Sequence, residues 1–321
     1  MIFSRTISWA IGTLLLLLLL PLVLPGQYYV GIATHVLVYA MLALSLNILV
    51  GYGGMTSLGH AVYMGVPAYV YAMLFAGGTA PLEAALIALS AGTALAAFFA
   101  VLALRATGLG LLMITLALGQ VVWGMAYRWT SLTGGDNGVA LSARPHPLGI
   151  DLSNPTVFYY FVALVFSASL LCLWQFAQSP LGACLRGTRD QPRRMRMLGH
   201  DVWRIRWVAF ILAGFWGSVS GLLYILDFQF VSPQTLSLQQ SAEALLMVIL
   251  GGAGTIAGPV VGAVIITLVK TVVSSYMDRW YSLLGAIFIV VVLFMPQGIV
   301  PGCRLLLARL RLGALRRLRA L

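Results

Sequence analysis

The chain has 321 residues, 61% of them hydrophobic and only 8% charged, against about 25% charged in a soluble domain, which excludes a water-soluble enzyme or binding module. Its formal net charge of +11 invites a nucleic-acid reading, but the arginines are not spread over a polar face. Seven (Arg186, Arg189, Arg193, Arg194, Arg196, Arg204, Arg206) fall between two apolar runs and six (Arg304, Arg309, Arg311, Arg316, Arg317, Arg319) crowd the last 21 residues; they argue against nucleic acid and mark the cytoplasmic side by the positive-inside rule.

A membrane span needs about 20 apolar residues, and the hydropathy divides the chain accordingly. Residues 7–24, with seven consecutive leucines, form a first span; a signal peptide competes, but no small-x-small cleavage site follows, so the segment is read as an anchor. Residues 30–50 form a second span and 58–76 a third, which starts in GYGGMTSLGH. Residues 82–104 and 109–129 follow, separated by a turn holding Arg105. The polar stretch 130–155 carries TGGDNG, Pro145, Pro147 and Asn154-Pro155 and is expected on the exterior. Residues 156–176 return to the arginine loop, 178–206. The span at 207–226 places Ala213, Gly214, Gly217 and Gly221 on one face, a surface for close helix packing. Asp227 is expected to end that helix in water.

The interval 241–276 must cross twice if the basic tail is cytoplasmic, because 280–298 supplies only one crossing. A glycine-rich break then lies between two short crossings. The expectation is an all-α polytopic membrane protein of about ten membrane segments, some short or broken, with a permease domain over 1–300, a basic tail over 301–321 and both termini cytoplasmic.

That break is the most informative stretch. In AEALLMVILGGAGTIAGPVVGA, residues 242–263, five glycines and Pro259 interrupt a transmembrane helix, and backbone freed in hydrocarbon is tolerated only where protein or a water-filled cavity satisfies it. Gly252 and Thr255 in the break and the acid Glu243 beside it are therefore pathway candidates, an intramembrane carboxylate being a functional-site hypothesis by default. GGMTSLGH at 53–60 echoes GGAGTIAG at 251–258, and paired interruptions in two halves point to a central site in transporters. A helix starting near Gly54 would place Ser57 and His60 on one face, with Met64 continuing the stripe. Asn47, Thr115 and Gln120 are polar residues inside apolar spans that need partners; interhelical hydrogen bonds compete with substrate contact for all three. Gln239 and Gln240 offer Glu243 a purely structural account.

Cys172, Cys184 and Cys303 have no metal spacing and His35, His60, His146 and His200 are scattered, so neither a disulfide nor a metal site is expected. There is no phosphate-binding G-x-x-x-x-G-K-[ST] loop, and the one lysine, Lys270, sits in a hydrophobic run, so the chain is not expected to hydrolyse ATP. An ion-coupled secondary transporter is the rival reading, and scarce midplane carboxylates weigh against it.

Four blocks together carry a resemblance: ALSLNILVGYGGMTSLGHAVYMGVPAY at 43–69, GLGLLMITLALGQVV with SLTGGDNGV at 108–139, SPLGACLRGTRDQPRRMRMLGHDVWRIRWVAF at 179–210, and VSPQTLSLQQSAEALLMVILGGAGTIAGPVVGA at 231–263. In this order and spacing the chain resembles the permease of branched-chain amino acid ABC importers. The resemblance implies translocation of branched-chain or other aliphatic amino acids into the cytoplasm; relatives serving urea and short amides keep that alternative open. It further implies a second homologous permease, two cytoplasmic ATPases that bind the ATP and magnesium, and an external solute-binding protein, with no cofactor on this chain. Such permeases contact each ATPase through a short cytoplasmic helix, marked in the family by an acidic, alanine-rich stretch ending in glycine. Asp190, Leu198 and Gly199 match that pattern, whereas Pro192, Arg193, Arg194 and Arg196 depart from it, so an ATPase with extra acidic groups is one way to accommodate them. Arg189, Asp190, Arg193, Arg194, Arg196 and Gly199 are the coupling candidates, on a helix expected over 189–201. The tail, rich in leucine and arginine, suits an anionic lipid surface.

Overall fold

A computed structural model describes residues 12, 17–21, 26–141, 144, 152–274, 276, 280–295 and 297–303. Most of the expected first span and the whole arginine-rich tail from 304 on lie outside the described residues. In chain order the helices are α1 (Gln27–Asn47), α2 (Val62–Ala76), α3 (Pro81–Ala103), α4 (Leu109–Arg128), α5 (Pro155–Gln178), α6 (Pro180–Asp190), α7 (Pro192–Met197), α8 (Val202–Phe228), α9 (Leu238–Gly251), α10 (Ala257–Leu268) and α11 (Trp280–Phe294). Two wide π-helical turns extend this set, Ile48–Tyr52 after α1 and Val269–Val273 after α10. Among the described residues five helices are long and apolar enough to cross a membrane, α1 with its π turn, α3, α4, α5 and α8; α2, α9 and α10 are shorter and apolar. The all-α expectation holds, apart from a two-residue antiparallel ribbon pairing Val139 with Val231 and Ala140 with Phe230.

Helix starts follow from local chemistry. The Asn154, Ser179, Asp201 and Ser237 side chains accept amide hydrogens at the first turns of α5, α6, α8 and α9, each such cap contributing about 1 kcal/mol. Proline follows the cap at 155 and 180, where its missing N–H costs nothing.

The bundle is organised around α8, whose small-residue face does pack as the sequence suggests. A Cβ at Gly217 would lie 2.9 Å from Tyr63 Cβ of α2, and added methyls at Gly214 and Gly221 would overlap Ala96 of α3 and the Met64 carbonyl of α2. Here α8 meets both neighbours at backbone distance. The hairpin of α9 and α10 closes in the same way: methyls at Gly262 and Gly258 would overlap the carbonyls of Met247 and Gly252. Exposed Tyr28, Tyr29, Tyr127, Trp129, Phe228 and Phe230 ring one end of the bundle, and Trp203 stacks on Trp207 at the other. Amphipathic rings at both ends suit two membrane interfaces.

Three expectations are corrected. The helix expected from Gly54 begins only at Val62, and residues 54–59 run as non-helical backbone. The helix expected over 189–201 is two short ones, because Pro192 bars the residue before it from helical geometry and Gln191 sits at φ −148°, ψ 84°. Asp227 does not end α8 in water: its side chain is 6% exposed, and Oδ2 lies 3.4 Å from His35 Nε2 of α1. The next α8 turn can be held there because Arg144 donates to the Leu226 and Asp227 carbonyls from the connecting loop.

Candidate functional site

The polar residues singled out in the sequence gather at three places. The first is a junction where the end of α1 meets the break between α9 and α10. Asn47 is 1% exposed; its Nδ2 donates to the Thr255 carbonyl and its Oδ1 accepts from the Gly254 amide, both at 2.9 Å. One carboxamide thus satisfies a donor and an acceptor that the broken helix leaves over. Thr255 Oγ1 completes the turn, donating to the Gly252 carbonyl at 2.8 Å and accepting from the Gly258 amide at 3.0 Å, as a cap for α10. Gly252 holds φ +119° and Gly254 φ +81°, conformations that L side chains avoid, and a Cβ at Gly252 would lie 2.5 Å from Pro301. Gly51, on the π turn, must also be glycine, since a methyl would overlap Asn47 Oδ1 and the Gly254 amide. The glycine break therefore meets the end of α1 and its π turn, immediately ahead of the segment that echoes it in sequence.

The second place is the non-helical segment that leads from this junction into α2. It lies against α4, where Leu58 N donates to Thr115 Oγ1 at 3.3 Å, and a methyl on Gly59 would overlap the Thr115 carbonyl. Ala61 N donates to Ser241 Oγ of α9 at 3.0 Å. His60 is fully buried, with Nε2 2.8 Å from Ser45 Oγ. The Ser45 hydroxyl proton goes to the Leu42 carbonyl at 2.7 Å, so Nε2 carries the imidazole proton and donates to Ser45, leaving Nδ1 as a bare acceptor. His60 Nδ1 and Ser57 Oγ are buried without a hydrogen-bond partner among the described residues. Unpaired buried polar atoms cost about 1–3 kcal/mol each, and this segment holds two of them three residues apart. Gln120 lies five residues past Thr115, off its helical face, and is half-buried outside this network.

The third place is an ion pair between the two arms of the hairpin. Glu243 Oε2 accepts from Lys270 Nζ at 2.8 Å, and Glu243 Oε1 from Gln239 Nε2 at 3.3 Å. The carboxylate is 4% exposed and the lysine 32%, so the ammonium forms the open end of the pair. Its Nζ also stands 5.6 Å from the centre of the Tyr39 ring of α1. Lys270 lies on the second π turn, as Gly51 lies on the first, and π turns often mark functional sites. The signal for Lys270 was in the sequence, one lysine in an apolar run, but the partner 27 residues away requires the hairpin register.

The coupling candidates divide. Arg193, Arg194 and Arg196 are exposed on α7, and Asp190 and Gly199 are exposed beside it, Gly199 at φ +83°. Met197 and Leu198 at the tip are 87% and 68% exposed. Arg189 is exposed too, its side chain 48% accessible and its Nε 3.9 Å from Asp190, but its tip also reaches the bundle: Nη1 donates to the Gly51 carbonyl, and its Cγ lies where a Cβ of Gly54 would be 2.7 Å away. Among the described residues no cluster of His, Cys, Asp or Glu is arranged to hold a metal.

The family described as the permease component of the branched-chain amino acid transport system matches residues 28–293. The chain is 28% identical over 303 residues to the high-affinity branched-chain amino acid transport system permease protein LivM of Salmonella typhimurium, covering 86% of this chain and 70% of that one. It is 24% identical over 295 residues to LivH of Escherichia coli, covering 82% and 91%. A shorter likeness, 26% over 133 residues, joins 39% of it to 40% of the autoinducer 2 import system permease protein LsrC of Photorhabdus laumondii. No solved structure matches the chain.

Proposed function

The chain belongs to the permease family of branched-chain amino acid ABC transporters, and we propose that it is the membrane-spanning subunit of an importer that passes branched-chain or other aliphatic amino acids into the cytoplasm. It pairs with a second, homologous permease, receives substrate from an external solute-binding protein and is driven by ATP and magnesium bound to two separate cytoplasmic ATPases. It crosses the inner membrane in about ten segments, with both termini and α6–α7 on the cytoplasmic side. The pathway runs past Glu243 and the segment carrying Ser57 and His60 to the junction of Asn47, Gly252 and Thr255.

The observation that carries this reading is non-helical backbone inside a bundle of apolar helices, largely buried at Gly53–Ala61 and half-buried at Gly252–Ile256. Lipid does not tolerate such backbone, whereas protein around a water-filled route does. The Glu243 carboxylate is paired with Lys270 at 2.8 Å, so the acid beside the break already has a resident cation as its partner, which favours ATP over an ion gradient as the driving force. Urea and short amides, which the family resemblance left open, remain substrate alternatives within the same mechanism.

The test is reconstitution. In liposomes the chain alone moves no amino acid under a proton or sodium gradient, whereas the complex with the second permease, both ATPases and a loaded binding protein moves it on addition of ATP. Gradient-driven uptake by the single chain would establish the secondary-transporter reading. Single cysteines replacing Ala253 and Thr255, in a chain freed of Cys172, Cys184 and Cys303, are expected to react with a water-soluble thiol reagent at a rate that ATP changes; inertness in every state would leave the break as packing only.

A further inference from the structure

Three elements distant in sequence converge within one hydrogen-bonded radius of Gly51. The π turn supplies the Gly51 carbonyl, the α9–α10 break supplies Gly254, and α6 supplies the Arg189 guanidinium. Arg189 Nη1 donates to the Gly51 carbonyl. That same oxygen would stand 3.2 Å, and Arg189 Nη1 3.5 Å, from a Cβ placed on Gly254. On the far side of Gly254, its amide is held by Asn47. The contact is enforced by two absent side chains, because Gly54 at φ +63° leaves room for the arginine stem and Gly51 leaves room for Gly254.

The helix that carries Arg189 is itself strapped to its neighbours. Arg206 Nη2 of α8 donates to the Thr188 carbonyl at 2.9 Å. Arg186 donates to the Ala177 carbonyl at 2.7 Å, and its guanidinium stands 5.9 Å from the centre of the Tyr52 ring. α6 is therefore joined to the end of α1 and to α8 at defined atoms. A charge-assisted hydrogen bond is the strongest polar contact available for this purpose, and arginine is the side chain long enough to make it from a peripheral helix.

We propose that Arg189 is a positioning residue that transmits movement of the α6–α7 segment to the glycine junction, acting inward on Gly51 rather than outward on an ATPase. This deepens the importer reading and rests on it. Displacement of α6 draws on the Gly51 carbonyl, which shifts against Gly254, and the Asn47 clamp passes that shift to the Gly252–Ile256 turn. The arginines of α7 and the apolar tip at Met197 and Leu198 contact the ATPase; Arg189 converts that contact into motion at the pathway.

The experiment uses the full complex of permeases, ATPases and binding protein with Arg189→Ala, Arg189→Gln and Arg189→Lys. Copurification, ATP hydrolysis, uptake and thiol labelling of a cysteine at position 253 are measured together. In Arg189→Ala the ATPases are expected to remain bound and ATP hydrolysis to persist, while uptake per ATP falls about tenfold or more, the scale of one lost charge-assisted hydrogen bond, and the ATP-dependent change in labelling disappears. Arg189→Lys and Arg189→Gln, which keep a donor on a shorter reach, fall between; they also provide the measurement if the alanine variant fails to accumulate. Loss of ATPase copurification would place Arg189 in the docking surface and overturn the proposal. So would normal uptake per ATP with normal labelling in all three variants. Absence of ATP-driven uptake by the unmodified complex would instead remove the importer reading itself, so the two failures are distinguishable.

Discussion

Truncating Asn47 attacks the glycine junction at its centre. Asn47→Ala removes a donor to the Thr255 carbonyl and an acceptor for the Gly254 amide, and each backbone group left unpaired costs about 1–3 kcal/mol. Gly254 and Thr255 are only half-buried, so water offsets part of the loss and about 2–4 kcal/mol is expected. At about 2–4 °C per kcal/mol, thermal unfolding of the purified protein in a fixed detergent should shift down by roughly 4–16 °C. Gly51→Ala strikes the same contact from the opposite side, pushing a methyl into Asn47 Oδ1 and the Gly254 amide, at a cost of about 1–3 kcal/mol. In the double variant the Asn47 oxygen that the methyl would strike is already gone. The combined loss should therefore fall short of the sum by about 0.5 kcal/mol or more. A loss below about 1 kcal/mol for Asn47→Ala, or strict additivity of the pair, would refute the shared junction.

The ion pair should respond asymmetrically: Lys270→Met strands a carboxylate that is 4% exposed and is expected to cost about 3–5 kcal/mol, Glu243→Gln less because the lysine is one-third open, and the double variant should recover much of the loss; equal single losses in thermal unfolding would contradict this. Met197→Asp with Leu198→Asp should leave the unfolding temperature unchanged, as both side chains are exposed, yet abolish copurification of the ATPases. Reversing Arg193, Arg194 and Arg196 to glutamate should uncouple transport at normal membrane abundance and topology, since like charges across an interface cost several kcal/mol; normal substrate-stimulated hydrolysis in that triple variant would exclude them from the coupling surface. Gly59→Ala drives a methyl into the Thr115 carbonyl and should destabilise by about 1–3 kcal/mol, whereas Gly124→Ala, with nothing within 4 Å, serves as a silent control in the same unfolding assay.

What could be read from the residues, and what could not, divides along the range of the interaction. Local chemistry was legible: the glycine break near 251–258 and the small-residue face of α8 rest on composition within a few residues of each other. Ser57 and His60 were expected on a common helical stripe, but their backbone is non-helical, held instead by Thr115 and Ser241. Only tertiary partners can stabilise that conformation. Arg189 shows the converse limit: it is exposed, as charge in an arginine-rich loop suggests, but nothing nearby in the chain announces that its tip also donates to a carbonyl at Gly51. Asp227 misled for a related reason: the polar FQFVSPQ that follows resembles a solvated helix end, while the groups that bury it, His35 and the arginine stationed at 144, approach from other parts of the chain.

The hydrogen bond from Ala61 N to Ser241 Oγ also sets a clock on biogenesis. The two residues are 180 apart, and ribosomes add about 5–20 residues per second, so the amide at 61 waits roughly 9–36 seconds after its own synthesis before its acceptor exists. During that interval the segment ahead of α2 has neither a helical ladder nor its final partner in which to bury its polar backbone. It must linger in a wetter setting, at the mouth of the insertion machinery or near the lipid headgroups, until α9 emerges. A nascent chain arrested before residue 238 should therefore leave positions 57–61 open to aqueous labelling that the finished chain excludes.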